Sequence, residues 1–405
     1  MFENIKINNP ERFSDILTID EAKEALGKAM EILKKNLHRF KDGFAMPAYG
    51  FDRDFENGWT ANKYKKSYLP DWTSGMWTGL YFLAYEITGD KEFLEVCKYH
   101  VIIMHKVVNE EINLNDHDIG FKFTPTCMAL YKLTGDEKAK ESALKAAKIQ
   151  LDHYCPHNKF IIRMGLREDE DNYDGYRTLV DSMMNIPLFF WAYEETGDKA
   201  YYDAGVGHYN TTLKYLIRED GSSYHHYQFD PETLKSVKGV TWQGHRDESC
   251  WTRGHSWLVF GYPNAYRYTK DEKIFDIHRA VTYYFLNNLP EDLIPYWDFD
   301  YNTGSLEPRD SSAASVSVAG MLEMCKHLPD TSEMKKVYKD ASGAILKSLI
   351  KNCMNKGDDG DGIILHVTGS KPHGLLVDTI HTYADYFFVE SLIRYINPSW
   401  ETYCW

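Results

Sequence analysis

Four stretches of this chain are near-copies of one another: Tyr85-Glu-Ile-Thr-Gly-Asp90, Tyr131-Lys-Leu-Thr-Gly-Asp136, Tyr193-Glu-Glu-Thr-Gly-Asp198 and Tyr266-Arg-Tyr-Thr-Lys-Asp271. Each closes a helix-length apolar segment, and the chain has six such segments in all. A Gly just past a helix end supplies a left-handed cap, and the Asp after it accepts the orphan N–H groups of the next helix. Thr-Gly-Asp is therefore a tight turn between two helices, and the sequence reads as a repeat of helical hairpins.

Repeats of this kind bury each apolar face against the neighbouring repeat, so 405 residues can share one core. The expectation is one domain over residues 1–405. Residues 20–38 place Ala22, Ala25, Leu26, Ala29, Met30, Leu33 and Leu37 at helical spacing with Lys and Glu between them, the pattern of an outer helix with one wet face. Gly75–Tyr85 and Met183–Tyr193 are apolar nearly all round, as an enclosed helix must be.

Continuing the alternation predicts outer helices near 20–38, 91–108, 137–153, 199–216, 272–288 and 332–352. Inner helices are predicted near 73–88, 119–133, 182–195, 252–268, 311–326 and 379–396. The predicted fold class is all-α, an (α/α)6 barrel of six helical hairpins. Outer-to-inner connections (39–71, 154–180, 217–250, 289–310 and 353–377) are long and rich in Gly, Asp, His and Tyr. Antiparallel alternation gathers them on one face, and long structured loops usually carry function.

Several function classes drop out. A formal charge of −14 without a Lys/Arg stripe argues against nucleic acid. No window approaches the ~20 apolar residues of a membrane span, and the start lacks a signal pattern, so a cytoplasmic protein is expected. Seven scattered cysteines with no C-x-x-C signal neither a disulfide framework nor a zinc site. Gly357-Asp-Asp-Gly-Asp-Gly362 reads as a solvated turn, too short and Gly-rich for a calcium loop. The 29 Tyr and 10 Trp suit stacking on sugar faces but equally suit a large helical core.

Candidate chemistry lies at the inner-helix entries. Asp118 opens the second inner helix and Asp181 the third. Capping is the ordinary explanation for an Asp at such a place. Asp181, however, precedes Met183, Met184 and Ile186, and a carboxyl group in apolar company near a second carboxylate has a raised proton affinity. Such a pair suits general acid–base work on a sugar. Arg253 and Trp257, four apart on the fourth inner helix, share a face. A guanidinium there can grip a carboxylate by two hydrogen bonds while an indole packs on the ring that carries it; an ion pair and a core Trp explain the same residues.

Taken in order, Trp72-Thr-Ser-Gly-Met-Trp-Thr-Gly, His117-Asp-Ile-Gly-Phe, Asp181 with Met184-Asn-Ile-Pro, Ser222-Ser-Tyr-His with Phe229-Asp-Pro-Glu, Gln243-Gly and Ser249-Cys-Trp-Thr-Arg-Gly-x-x-Trp257 resemble the unsaturated glucuronyl hydrolases of glycoside hydrolase family 88. The closing Ala384-Asp-Tyr-Phe-Phe-Val-Glu390 resembles that family's last inner helix. The resemblance implies an (α/α)6 barrel, a cytoplasmic scavenger of unsaturated disaccharides left by polysaccharide lyases, and no metal or organic cofactor. It places the proton donor and acceptor on Asp181 and its partner carboxylate on Asp118. Trp72, His117, His225, Gln243, Arg253 and Trp257 would line the subsite for the unsaturated uronate.

The implied reaction starts with protonation of C4 of the C4=C5 enol ether by Asp181. Water then adds at C5, and the hemiketal opens to expel the aglycone. Departures from the family pattern fall at Met164, where an aromatic is common, at Trp242, where a basic or His residue helps choose the aglycone, and at His255 and Ser256 in Arg253-Gly-His-Ser-Trp257. Glycosaminoglycan fragments are the expected substrates. An unsaturated rhamnogalacturonyl hydrolase, a sugar 2-epimerase-like isomerase on the same barrel and a non-catalytic helical scaffold are the alternatives, which fold alone does not separate.

Overall fold

A computed structural model describes residues 2, 4–47, 62–163, 176–356 and 360–405. Helices alternate outer and inner along the chain: α1 (Ile19–Leu37), α2 (Ser74–Thr88), α3 (Lys91–Asn109), α4 (Ile119–Phe123) with α5 (Ala129–Thr134), α6 (Glu137–Asp152), α7 (Ile186–Thr196), α8 (Lys199–Tyr215), α9 (Thr252–Thr269), α10 (Lys273–Asn287), α11 (Ser311–His327), α12 (Glu333–Asn352) and α13 (Thr382–Ile396). Inner helices pack in the ring α2, α4, α7, α9, α11, α13, and α13 returns to α2. The fold is an (α/α)6 barrel.

Local chemistry sets each element. Thr18 and Glu21 form a reciprocal capping box at the start of α1, whose Ala22, Ala25, Leu26, Ala29, Met30, Leu33 and Leu37 are buried as the spacing predicts. In α2 every residue from Ser74 to Ala84 is buried, because an inner helix has neighbours on all sides. The Thr-Gly-Asp turns close as expected: Gly89, Gly135 and Gly197 sit at φ of 69°, 74° and 72°, and Asp90, Asp136 and Asp198 cap the next helix. At the fourth copy Lys270 takes the same left-handed conformation, φ 54°, without the freedom of Gly.

Two inner helices differ from the continuous segments predicted. Between α4 and α5 the backbone opens into a π-turn over Thr124–Met128, where Pro125 has no N–H to donate. The predicted helix over 182–195 begins as a 3-10 turn, Val180–Met184, and becomes α-helical only after Asn185. The long connections also carry antiparallel pieces that the hydrophobic pattern does not reveal. These are β1 (Phe44–Pro47) with β2 (Tyr64–Ser67), β3 (Tyr154–Cys155) with β4 (Phe160–Ile161), and the sheet β5 (Arg177–Leu179), β6 (His226–Phe229), β7 (Ser236–Val240). A connection pressed onto the barrel mouth must pair its own N–H and C=O groups, and short ladders do so. The third sheet matters for the site: Leu179 pairs with His226 and the Val180 N–H donates to the His225 carbonyl at 3.0 Å, which sets Asp181 beside His225.

Candidate active site

At the long-loop end of the barrel lies a cavity of about 360 Å³. Of the residues singled out in the sequence, Trp72, His117, Asp118, Asp181, His225, Gln243 and Arg253 line it. Trp257 does not: it is fully buried one helical turn beneath Arg253, its ring against Phe121 at 5.4 Å between centroids. It forms the floor under the site rather than its wall.

The two carboxylates meet because two backbones touch. Gly120, two residues after Asp118, lies where a Cβ would stand 2.5 Å from the Asn185 Cα, and the Phe121 N–H donates to Asn185 Oδ1 at 2.8 Å. Only Gly allows that approach, and it draws the entry of α4 against the entry of α7. Asp118 stands at the N-cap of α4, yet neither Asp side chain caps a helix. Asp118 makes no capping bond, Asp181 sits inside the 3-10 turn, and Asp118 Oδ1 and Asp181 Oδ2 are buried without a hydrogen-bond partner.

Burial pushes the Asp118 carboxyl up to about 6; the negative charges of Asp116 and Asp181 add to this and His117 opposes it. Burial likewise raises Asp181, against the pull of His117 and Arg253. The Trp257 indole N–H also draws the Asp181 pKa down, although it completes no hydrogen bond. Two like charges in one cavity favour keeping a proton on the pair.

The histidines are oriented by the backbone. His225 Nδ1 accepts the N–H groups of Trp242 and Gln243 at 3.2 and 3.3 Å, and burial holds the ring neutral. Its proton therefore sits on Nε2, which faces Asp181 Oδ2 at 3.8 Å. His117 Nδ1 donates to the Arg163 carbonyl at 3.0 Å, leaving Nε2 3.3 Å from Asp118 Oδ1.

Arg253 is more constrained than its spacing suggests. Nη1 donates to Asp310 at 2.8 Å and to the Thr368 carbonyl at 2.5 Å, and Nη2 donates to the Gly369 carbonyl at 2.6 Å. Five donors minus these three leaves the Nε–H, which is buried and unpartnered, and one Nη2–H. That remaining edge is a side-on fork suited to a carboxylate. Gln243 Nε2 also donates to the Gly369 carbonyl, at 3.0 Å, tying its loop to the one under Arg253.

Other lining residues carried no sequence motif of their own. Tyr383 and His381, at the start of α13, stack with ring centroids 3.7 Å apart, and Tyr383 stacks on Trp72 at 5.4 Å. Their position at an inner-helix entry was the available signal. Arg163, Arg177 and His226 line the cavity too, with Arg177 Nη1 2.9 Å from His226 Nε2. Of the departures from the family pattern, His255 is buried between Ser223 Oγ at 3.0 Å and the Val281 carbonyl at 2.8 Å, a structural role. Trp242 lines the cavity; Met164 lies outside the described residues, as does Gly357–Asp359 of the Gly/Asp run. Among the described residues no His, Cys, Asp and Glu cluster is arranged to hold a metal ion.

The model of Glycosyl Hydrolase Family 88 matches residues 51–392. An unsaturated chondroitin disaccharide hydrolase of Streptococcus pneumoniae is 42% identical over 401 residues, covering 98% of each chain. The crystal structure of unsaturated glucuronyl hydrolase from Streptococcus agalactiae superposes with a TM-score of 0.91 at 38% identity, covering 100% of this chain and 98% of that one. A mutant of the S. agalactiae enzyme complexed with dGlcA-GalNAc6S gives a TM-score of 0.85 at 36% identity over the same shares. With a barrel, a carboxylate pair and a buried Arg lining one cavity already in place, these likenesses decide the assignment: the chain belongs to glycosyl hydrolase family 88.

Proposed function

We propose that this chain is an unsaturated glucuronyl hydrolase that releases the 4,5-unsaturated uronate from the non-reducing end of glycosaminoglycan-type disaccharides, chondroitin fragments foremost. The observation that carries the proposal is the Asp181 carboxyl, raised in proton affinity, with a buried oxygen lacking a partner in a cavity shared with Asp118 and the open edge of Arg253. The S. pneumoniae relative and the ligand of the S. agalactiae complex support the substrate class.

In this reading the Arg253 Nε–H and Nη2–H hold the C5 carboxylate, and the Trp72–Tyr383–His381 stack faces the sugar ring. Protonated Asp181 gives its proton to C4, and the positive charge forms on C5 and the ring oxygen. Water attacks C5 and returns a proton to the Asp181 carboxylate, completing the cycle. The C5 hemiketal opens by breaking its bond to the ring oxygen, and the C1 hemiacetal then releases the aglycone as an alcohol. Asp118, with His117 Nε2 3.3 Å from its Oδ1, keeps negative charge beside Asp181 and sustains its affinity for the proton. The neutral His225 directs its Nε2–H at the same carboxylate and steadies its ionised form. The proposal also takes residues 1–405 as one catalytic domain and, from seven buried free thiols, a reducing cytoplasmic compartment.

Unsaturated disaccharides from chondroitin, hyaluronan and heparin, followed by loss of the conjugated enol's ultraviolet absorbance, test this. Loss of absorbance with release of the free amino sugar is expected for chondroitin fragments. Purified, folded protein that leaves the absorbance of all three unchanged would overturn the reading.

A further inference from the structure

Trp405 is fully buried, and its indole meets three inner helices. It stacks on Phe387 of α13 with centroids 6.0 Å apart and planes 17° from parallel, and it meets Phe260 of α9 at 5.6 Å and Phe121 of α4 at 6.4 Å edge to face. In the inner ring α2, α4, α7, α9, α11, α13 these three helices alternate, so a side chain touching all of them lies on the barrel axis. The indole N–H is shared between Tyr386 Oη at 3.0 Å and Glu390 Oε2 at 3.2 Å, which fixes the ring in rotation as well as in place. Residues 397–405 carry it there across the far end of the barrel. Trp400 Nε1 donates to Glu86 in the last turn of α2, and the Trp405 carbonyl accepts from Lys132 in the last turn of α5.

The rings that rest on Trp405 are also the underside of the site. Phe121 and Phe387 meet Trp257 at 5.4 and 5.7 Å, and Phe121 meets the cavity-lining Trp72 at 5.6 Å. The otherwise unpartnered Trp257 N–H acts on Asp181, whose pKa it draws down. A close-packed interior transmits displacement, because few voids exist to absorb it. A void at position 405 would therefore let Phe121 and Phe387 settle toward the far end and take Trp257 with them.

We propose that Trp405 is a positioning residue for the reaction, an axial plug that holds Phe121 and Phe387, and through them Trp257 and Trp72, at the level where Asp181 meets the bound uronate. This inference rests on the functional reading above and extends it to the opposite end of the barrel. Trp405 touches no substrate, and its effect on turnover runs through the geometry of the floor. A supporting group displaced by about 1 Å lowers a rate by up to about 10²-fold, so a plug of this kind shows in kcat as well as in stability.

The test compares wild-type protein, Trp405→Leu, Trp405→Phe and Leu346→Ala on the unsaturated chondroitin disaccharide, at a temperature where each is folded. Leu346 is buried in the outer helix α12, and its truncation destabilises the barrel by leaving a cavity away from the column. Trp405→Leu should lower kcat about tenfold with KM changed less than about twofold. Its alkaline limb of kcat against pH should move to higher pH, because withdrawal of the Trp257 N–H lets the Asp181 carboxyl keep its proton longer. Trp405→Phe, which restores a ring, should recover kcat to within about threefold of wild type. Leu346→Ala should lower the melting temperature and leave kcat and its pH profile as they were.

A lower melting temperature in Trp405→Leu with kcat and the alkaline limb unchanged overturns the positioning role, as does an equal loss of kcat in Leu346→Ala. Should Trp405→Leu not fold, wild-type kcat and an unshifted profile in Trp405→Phe overturn it. Failure of wild-type protein to turn over the disaccharide overturns the functional reading and the positioning role with it, an outcome distinct from turnover that the Trp405 variants leave unchanged.

Discussion

Helix α13 runs from the cavity to the far end of the barrel, and a buried arginine marks each end of that path. At the far end Arg394 meets two carboxylates: Nε donates to Glu390 at 2.8 Å, Nη2 lies 2.7 Å from the same oxygen, and Nη1 donates to Glu323. At the cavity Arg253 meets one carboxylate, Asp310, and two backbone carbonyls, and its Nε–H has no partner. Both guanidiniums are at most 2% exposed. Each guanidinium has one nitrogen that completes no hydrogen bond, Nη2 in Arg394 and Nε in Arg253, but Arg394 is neutralised by two carboxylates within the barrel whereas Arg253 has one and lines the cavity. The comparison sets an arginine paired twice inside the barrel against one paired once at the cavity, the end that the proposed function makes the binding end.

The largest effect that can break this contrast is at the open end. Asp181→Asn should lower kcat by about 10²–10⁴-fold with the melting temperature unchanged, since the amide keeps the shape but cannot give and recover a proton. Near-normal turnover measured alongside an intact melt would return Asp181 to a structural role. At the far end Arg394→Met should destabilise by about 3–5 kcal/mol, because two buried carboxylates lose the guanidinium between them and keep Lys326 on Glu323 and the Trp405 N–H on Glu390, while kcat/KM of the folded fraction stays as it was. Denaturant unfolding with parallel kinetics checks both halves.

Arg253→Lys sharpens the contrast, because this residue belongs to both worlds. Loss of the side-on fork should cost about 1.5–3 kcal/mol of transition-state stabilisation, read as kcat/KM and carried mainly by KM. The weakened hold on Asp310 should also show as lower stability in the same protein. Unchanged kcat/KM with lower stability would make Arg253 a second Arg394.

Proton linkage gives a smaller signature of the open end. Folded Asp118 titrates at about 6, above its ordinary value, so its contribution is fully present below the ordinary carboxylate pKa and is lost as pH rises through about 6. Asp118→Asn should abolish that loss and gain on the order of 1 kcal/mol over wild type at pH 7. Equal pH dependence of unfolding in the two proteins would show that Asp118 titrates normally. Smallest of all, Lys270→Gly should stabilise the fourth turn by about 0.5–1 kcal/mol by relieving a left-handed non-Gly residue, with no change in kcat. A drop in melting temperature would mean that the Lys270 contact with the Tyr266 ring outweighs the strain.

Much of this was legible in one dimension. The turns follow from Gly and Asp at fixed places, and the inner and outer faces from where Lys and Glu interrupt the apolar spacing, as α1 and α2 show residue by residue. Asp118, Asp181 and Arg253 were visible as polar groups at inner-helix entries. Helical spacing shows that Trp257 shares a face with Arg253 but not how deep each lies along the axis, and the structure places Trp257 beneath the cavity lining. His381 and Tyr383 reach the cavity from one part of the chain and Arg163 from another, and no local pattern connects the two.

The sequence by itself determined the alternation of helices, the closure into six hairpins and the face on which the long connections gather, because these depend on period, capping and chirality, all local properties. Only the tertiary structure decided that Gly120 would lie against Asn185 and bring two Asp side chains into one cavity. The same holds for the β5–β6 register, which set His225 beside Asp181, and for Asp310, which occupies part of Arg253 and leaves one edge open. Proton affinities and unpartnered donors arise from what surrounds a group in space, and that surrounding is assembled from residues far apart in the chain.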